Sequence, residues 1–300
     1  MNVKKKDNLM DNTILMKDQS NMSEFTAETA DTLYLEAEGV RFAYRSFGEQ
    51  SDVPLVCCQR FRGTMDDWDP AVINGLARER RIILFDNAGV GLSSGESPNS
   101  MVGMANNAIS FLEALGLTQV DLLGFSMGGS VAQAMTLLRP ELVRRLILAG
   151  TGPGAGDGIQ GGKPEVFQVA GKPINDSEDF MYLFFEPTET SLAAGRAYLK
   201  RLEGRQSPRE PLVKPETVKA QLLAIVAWAT GEGSYTRLSE IKQPVLVANG
   251  QNDIMVPTVN SFIMSQRLPN AQLIVYPDSG HGFLFQYPDL FVEHALLFIR

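Results

Sequence analysis

Three residues of this 300-residue chain have the types that acyl transfer requires, and each follows a short apolar run. Ser126 lies in Val120-Asp121-Leu122-Leu123-Gly124-Phe125-Ser126-Met127-Gly128-Gly129. The apolar run ends at Gly124, and apolar residues then recur at Val131, Ala134, Met135 and Leu138, the i, i+3, i+4, i+7 spacing of a helix with one buried face. A serine on such a strand-to-helix turn is pushed toward unfavourable backbone angles. Gly124 and Gly128 let strand and helix close up without colliding side chains. The hydroxyl is then exposed, and Met127 N–H, at the start of the helix, can donate to an oxyanion. The five-residue pattern G-x-S-x-G alone also fits a glycine-rich turn that caps a helix, so the strand before it and the helix after it carry the functional reading.

A hydroxyl at neutral pH needs a base, and the base needs a group to orient it. Asp253 follows the run ending at Ala248, in Asn249-Gly250-Gln251-Asn252-Asp253, and His281 follows the run ending at Tyr276, in Pro277-Asp278-Ser279-Gly280-His281-Gly282. All three residues thus stand just past the ends of apolar strands, in the order Ser, Asp, His. Competing candidates fit less well. His294, the second of two histidines, lies in the final helix three and four residues from Phe291 and Phe298, a packing context. Asp278 is a rival acid only three positions before His281. Ser93 and Ser94 occupy a small-residue loop without the strand-to-helix turn. Neither histidine belongs to a cluster at metal-ligand spacing, so no metal site and no cofactor are expected.

The elements that must position these residues alternate. Leu33 and Leu35, then Val40, Phe42 and Tyr44, read as a hairpin across Glu38-Gly39. Strands follow at Leu55 to Cys58 and at Ile82 to Phe85, with a helix expected over 65–76 between them. Asp66, Asp67 and Asp69 read as a solvated helix start. Met101, Met104, Ala105, Ala108, Leu112 and Leu115 trace a helical face that Gly116 stops. After the Ser126 unit, Leu146 to Ala149 is another strand. Repeated β-α steps with continuous apolar strands imply a parallel sheet covered on both faces, whose ligands bind beyond the carboxyl ends of the strands. From Thr151 the texture changes. A glycine-rich linker over 150–158 leads into a stretch without strand pattern, with helices expected over 176–185, 190–201 and 215–230. The sheet resumes at Val245 to Ala248, followed by a helix over 259–268, a strand at Leu273 to Tyr276 and a last helix over 289–300. The domain reading is a mobile leader over 1–24, a core over 25–150 and 240–300, and a helical cap inserted over 151–239. Of the aromatic residues available to a pocket under the cap (Phe180, Met181 beside them, Phe184), Phe125, Tyr182, Phe185 and Trp228 are taken as pocket candidates together with Arg60.

Composition narrows the function. With 44% hydrophobic residues, the chain can bury a large core. A net charge of -8 argues against nucleic acid and anionic membrane surfaces as partners and leaves a small-molecule substrate. No apolar run approaches the roughly 18 residues of a membrane span, and 1–24 lacks the apolar region of a signal peptide, which predicts a cytoplasmic protein. Cys57 and Cys58, adjacent in an apolar strand, read as buried free thiols. The oligomeric state is not encoded in any readable feature.

From about Phe25 to Arg300 the chain resembles the α/β-hydrolase fold family of serine hydrolases. The resemblance rests on Gly124-Phe125-Ser126-Met127-Gly128-Gly129, on Gly250-Gln251-Asn252-Asp253 with Pro257, on Ser279-Gly280-His281-Gly282, and on Asp86 with Gly89, Gly91 and Ser93. It implies a mostly parallel eight-stranded sheet flanked by helices, with the cap between the sixth and seventh strands. It further implies Ser126 as nucleophile, His281 as general base and acid, and Asp253 as its orienting group. Many members carry His-Gly after the third strand, with the next backbone N–H serving the oxyanion. Here the loop reads Gln59-Arg60-Phe61-Arg62-Gly63, which makes Phe61 N–H the natural donor beside Met127 N–H. Arg60 then serves a polar network beneath the site or reaches toward substrate, the structural role being preferred. The expected activity is hydrolysis of a carboxylic ester or lactone through an acyl-enzyme. A cofactor-free haloperoxidase or perhydrolase, or a C–C bond hydrolase, would use the same triad, and a non-catalytic small-molecule binding protein is the alternative outside enzymes.

Overall fold

Residues 26–300 are described by the computed structural model; the leader expected over 1–24 lies outside them. The sheet begins as a hairpin, β1 (Leu33–Ala37) against β2 (Val40–Gly48), with Leu33 opposite Tyr44 and Ala37 opposite Val40. Its two-residue turn places Glu38 at φ 49° and Gly39 at φ 77°, the left-handed pair that matches the twist of the strands it joins. The remaining strands are β3 (Leu55–Cys58), β4 (Arg81–Phe85), β5 (Val120–Phe125), β6 (Val143–Ala149), β7 (Val245–Gly250) and β8 (Ala271–Tyr276). They lie in the order β1-β2-β4-β3-β5-β6-β7-β8, and every pairing is parallel except the two made by β2. The order reverses between β3 and β5, so the loops leaving these two strands diverge and open a crevice between them.

The helices in chain order are α1 (Pro70–Ala77), α2 (Met101–Ala114), α3 (Met127–Leu138), α4 (Pro164–Ala170), α5 (Ser177–Phe184), α6 (Glu189–Leu202), α7 (Pro215–Ala227), α8 (Val259–Arg267), α9 (Phe283–Gln286) and α10 (Pro288–Ile299). Strand alternation sorts them into two layers. Leu55, Cys57, Ile82, Leu84, Leu123 and Phe125 pack with Val72, Ile73 and Leu76 of α1 and Phe291 and Ala295 of α10. Val56, Cys58, Ile83, Phe85 and Leu122 face the other way, onto Met104 and Ala108 of α2, Val131 and Met135 of α3, and Met264 near the end of α8. Helices α4 to α7 are inserted between β6 and β7 and contribute to both layers, Leu183, Phe184 and Tyr198 to one and Ala224 to the other.

The helix expected over 65–76 is two pieces. A single turn at Met65–Asp67 ends in extended backbone at Trp68 and Asp69, because Pro70 opens α1 and bars its predecessor from helical angles, while the Asp69 carboxylate caps α1 through Ala71 N–H. The helix expected over 215–230 stops at Ala227 and widens into a π turn over Trp228–Glu232. Two short helices, α4 and α9, were not expected.

Candidate active site

Ser126 caps α3 with φ 55° and ψ -121°, strained for a residue with a side chain. The angle is held from both sides: Ser126 N–H donates to Ala149 O of β6 at 2.9 Å, and Ser126 O accepts from Gly129 N–H at 2.9 Å. The glycines are there for space. A Cβ on Gly124 would stand 2.6 Å from Gly128 O and Gly129 Cα, and one on Gly128 would strike the backbone of Cys58. Helix α3 can therefore start directly over the end of β5, leaving Met127 N–H at its open N-terminus.

His281 and Asp253 come from the neighbouring strand ends. Gly250 and Tyr276 are paired as the last residues of β7 and β8. Beyond them the two loops stay joined, Gln251 N–H to Tyr276 O at 2.8 Å and Asn252 N–H to Ser279 O at 3.0 Å, an approach that leaves no room for a side chain at Gly250. His281 Nδ1 lies 2.6 Å from Asp253 Oδ2, with both side chains fully buried. The other carboxylate oxygen accepts from Met255 N–H at 2.8 Å and Val256 N–H at 2.9 Å, so Asp253 is fixed before the imidazole meets it. With Nδ1 facing the carboxylate, the base position falls to Nε2, which is buried and has no hydrogen-bond partner. Ser126 Oγ is not hydrogen-bonded to it in this arrangement. The imidazole is held by rings, Phe125 at 5.1 Å and Phe184 edge-on at 5.2 Å. Asp278, the rival acid, lies outside this pairing at φ 47°, and its carbonyl accepts from Gln286 Nε2. His294 packs in the fold, its Nδ1 2.9 Å from Tyr276 Oη.

Phe61 and Ser126 are neighbours because Cys58 of β3 pairs with Gly124 of β5. In the loop after β3, Gln59 Oε1 accepts from Arg60 N–H at 2.8 Å and Gln59 Nε2 donates to Thr64 O at 2.9 Å. Arg60 Nη1 donates to Phe61 O at 2.9 Å, and Arg60 Nη2 meets Asp67 at 3.2 Å. The guanidinium lies over the rings of Phe180 and Phe184, 5.4 and 5.3 Å from their centroids. Arg60 thus has the expected polar network and an aromatic seat as well.

Ser126, Phe61 and Arg60 line a cavity of about 650 Å³ whose other walls come largely from the inserted helices: Phe180, Leu183 and Phe184 of α5, Leu199 and Leu202 of α6, and Ile174 and Leu212 at exposed positions. Of the pocket candidates, only Arg60 lines it. Phe125 is buried beneath, against Trp68, Phe285 and the His281 ring. Tyr182 is two residues from both Phe180 and Phe184, which turns it to the opposite face of α5, where it is exposed. Phe185 is buried at the end of α5, close against Gly195 of α6. Trp228 is buried with its Nε1 donating to Gly152 O at 3.2 Å. Helical phase separates the two sets: Phe180 and Phe184 are i, i+4 partners on one face.

Two of the three carboxylates of the acidic turn, Asp66 and Asp69, are buried rather than solvated. Asp69 is buried and paired with Arg201 of α6 at 2.6 Å. Arg45 of β2, 2% exposed at its side chain, bridges Asp66 at 2.7 Å and Glu210 at 3.0 Å. The turn does cap a helix, as its spacing implies, but the cations that neutralise it arrive from distant sequence. Burial raises the Glu210 carboxyl above its ordinary range, with the Asp66 charge adding and Arg45 opposing. Burial also pushes Asp86 well up, and the Glu210 charge adds to it. Among the described residues, no group of three or more His, Cys, Asp or Glu is placed to hold a metal ion, and no helix is long and apolar enough to cross a membrane.

Comparison with known proteins agrees with this architecture. A family profile for the alpha/beta hydrolase fold matches residues 53–288. A solved alpha/beta hydrolase fold protein from Chitinophaga pinensis superposes with a TM-score of 0.85 at 40% identity, covering 92% of this chain and 99% of that one. A poly(3-hydroxyalkanoate) depolymerase from Ectopseudomonas oleovorans is 29% identical over 278 residues, 90% of this chain and 92% of the relative. A protein of Caulobacter sp. (strain K31) named for carbamate hydrolysis is 27% identical over 282 residues, 90% of this chain and 97% of the relative. With the profile covering most of the chain and the sheet, helix layers and strand-end loops in place, this protein belongs to the alpha/beta hydrolase fold family.

Proposed function

We propose that the protein is a serine hydrolase that cleaves a carboxylic ester or lactone, with residues 151–239 acting as a cap over the site. The carrying observation is His281, buried and fixed to Asp253 through Nδ1, with Nε2 left for proton transfer and the strained Ser126 at the cavity wall. Ser126 Oγ attacks the acyl carbon as Nε2 takes its proton. Phe61 and Met127 N–H receive the oxyanion, each donor contributing on the order of 3 kcal/mol to the transition state. Protonated Nε2 then gives the proton to the departing alkoxide. Water, deprotonated by the same nitrogen, attacks the acyl-enzyme, and Ser126 leaves with the proton returned. A polyester and a carbamate both present an acyl carbon, so the names of the two relatives support reaction at such a centre. Within the cavity of about 650 Å³, Phe61, Phe180, Leu183, Phe184, Leu199 and Leu202 offer a surface that suits a medium-sized apolar acyl group, alongside a charged lining that includes Asp66, Glu203, Arg209 and Glu210.

The test is hydrolysis of p-nitrophenyl esters of increasing chain length and of simple lactones, by the parent and by Ser126→Ala, with labelling by a fluorophosphonate. Turnover and labelling in the parent, both lost in folded Ser126→Ala, are the expected result. A folded parent that neither turns over nor labels overturns the reading in favour of a binding protein.

A further inference from the structure

The two peptide groups that flank Phe61 carry four polar atoms, and three are committed. Arg60 O accepts from Gly63 N–H at 3.1 Å, Phe61 O accepts from Arg60 Nη1 at 2.9 Å, and Arg62 N–H donates to Gln221 Oε1 at 3.0 Å. The fourth, Phe61 N–H, has no partner among the described residues, and it is the group assigned above to the oxyanion. Because the Arg60–Phe61 peptide is planar, the Gly63 bond to Arg60 O orients Phe61 N–H within the turn, while the bonds to Phe61 O and Arg62 N–H on the next peptide hold the turn itself in place.

Two of those three holders depend on the inserted helices. Gln221 belongs to α7 and is itself buried, 2% exposed. Arg60 is seated on Phe180 and Phe184 of α5. The chain next to Phe61 is fastened to the insert once more: Arg62 Nη1 donates to Asn175 Oδ1 at 2.6 Å and Nη2 to Lys172 O at 2.5 Å, in the loop between α4 and α5. Arg62 has φ 58°, a left-handed angle that a residue with a side chain holds only when its surroundings impose it. Arg62 is the third residue of the turn that Gly63 N–H closes on Arg60 O, a position that takes this angle, and Gln221 and the Arg62 fork brace that turn against the insert.

We infer that the inserted helices set the aim of the Phe61 N–H through Gln221 and Arg62, which makes these two positioning residues for the oxyanion. This rests on the serine hydrolase reading above. The same loop between α4 and α5 that receives Arg62 also lines the cavity, through Pro173, Ile174 and Asn175. A substrate that fills the cavity therefore presses on the element that aims the donor, and seating of the acyl group is coupled to stabilisation of its transition state.

Gln221→Met keeps length and packing and removes the acceptor; Gln221→Glu keeps an acceptor. For each, kcat, KM, melting temperature and the affinity of an alkylboronic acid, which adds to the serine as a tetrahedral anion, are measured beside the parent. Gln221→Met is expected to lower kcat and boronate affinity together by about ten-fold or more with KM nearly unchanged, since a misaimed donor is lost only in the transition state. Gln221→Glu recovers most of both. If Gln221→Met does not fold, Asn175→Leu replaces it, with a smaller loss of about three-fold in the same two quantities expected from slackening the Arg62 fork. Parent-like kcat and boronate affinity in a folded variant, with only the melting temperature lowered, overturns the inference. So does equal loss in Gln221→Met and Gln221→Glu. Fluorophosphonate labelling of the parent separates the two levels: a labelled parent with unaffected variants removes the latch alone, and an unlabelled parent removes the triad reading beneath it.

Discussion

The histidine half of the site and the oxyanion half are made by different parts of the molecule. Asp253 and His281 are fixed by loops that continue the β7–β8 pairing, with backbone N–H groups of Met255 and Val256 holding the acid. Phe61 leaves β3 in a loop joined to the insert by Gln221 of α7 and, through the Arg62 guanidinium, by Asn175 and the Lys172 carbonyl. The acid of the first half is held by backbone N–H groups beyond two paired strands, whereas the Phe61 loop is joined to the insert through side chains. Under the proposed function, proton transfer belongs to the first and charge stabilisation to the second.

The largest expected effect lies in the histidine half. Asp253→Asn is expected to reduce kcat by about four orders of magnitude, because an amide selects the wrong tautomer of His281, while the melting temperature stays close to that of the parent. Retention of more than a few per cent of kcat would break the assignment of that half. Next comes the buried ion network behind the Phe61 loop. Arg45→Met removes the cation shared by the buried Asp66 and Glu210 carboxylates, leaving Asp66 with Arg205 alone, and is expected to destabilise the fold by about 3 kcal/mol in urea titration. A change below 1 kcal/mol on the order of a surface pair would mean that the network is not what ties residues 203–214 down.

A pH series sharpens the comparison further. The folded value of Asp86 is raised, so the folded protein holds a proton that the unfolded chain releases in the interval between about pH 4 and that raised value. Stability is therefore expected to fall as pH rises through this interval. Asp86→Asn, which cannot ionise, should have a shallower slope even if it is less stable at low pH, the raised Glu210 carboxyl contributing the remainder. Urea midpoints taken in steps of about one pH unit upward from about pH 5 read this directly; parallel curves for parent and variant would contradict it. The smallest effect is at the cavity mouth. Ile174→Ser and Leu212→Ser, at positions 76% and 87% exposed, are expected to raise KM for long-chain esters by about three-fold and to leave acetate esters unchanged. An equal change for both chain lengths would place the acyl group elsewhere.

What the chain made legible follows the range of the interactions involved. The elbow at Ser126 is local: Gly124, Gly128 and the helical spacing after Val131 are within a dozen residues, and the structure has the turn they imply. The succession of strands along the chain and the helical character of residues 151–239 were legible for the same reason, since periodicity is a local signal. The fate of Asp66 and Asp69 was not, because Arg45, Arg201 and Arg205 reach them across the sheet and from the insert. Arg45 carries no local mark, since it falls with Arg41 on the polar phase of the β2 alternation. The cavity lining was half legible: Phe180 and Phe184 were among the aromatics available, but choosing them over Tyr182 and Phe185 required the phase of α5 against the core. Nothing in the spacing of Gln221 connects it to Arg62, 159 residues away in sequence. That contact exists only once α7 is laid beside the β3 loop.

Cys57 and Cys58 are adjacent on β3, and strand alternation sends one thiol into each of the two packed layers. Burial pushes Cys58 up to about 12 and raises Cys57 as well, so neither is a thiolate at neutral pH. The protein thus carries its own pair of reporters. A thiol reagent that is inert toward the native state and reacts at one sulfur before the other on mild denaturation would tell which helical layer lifts from the sheet first.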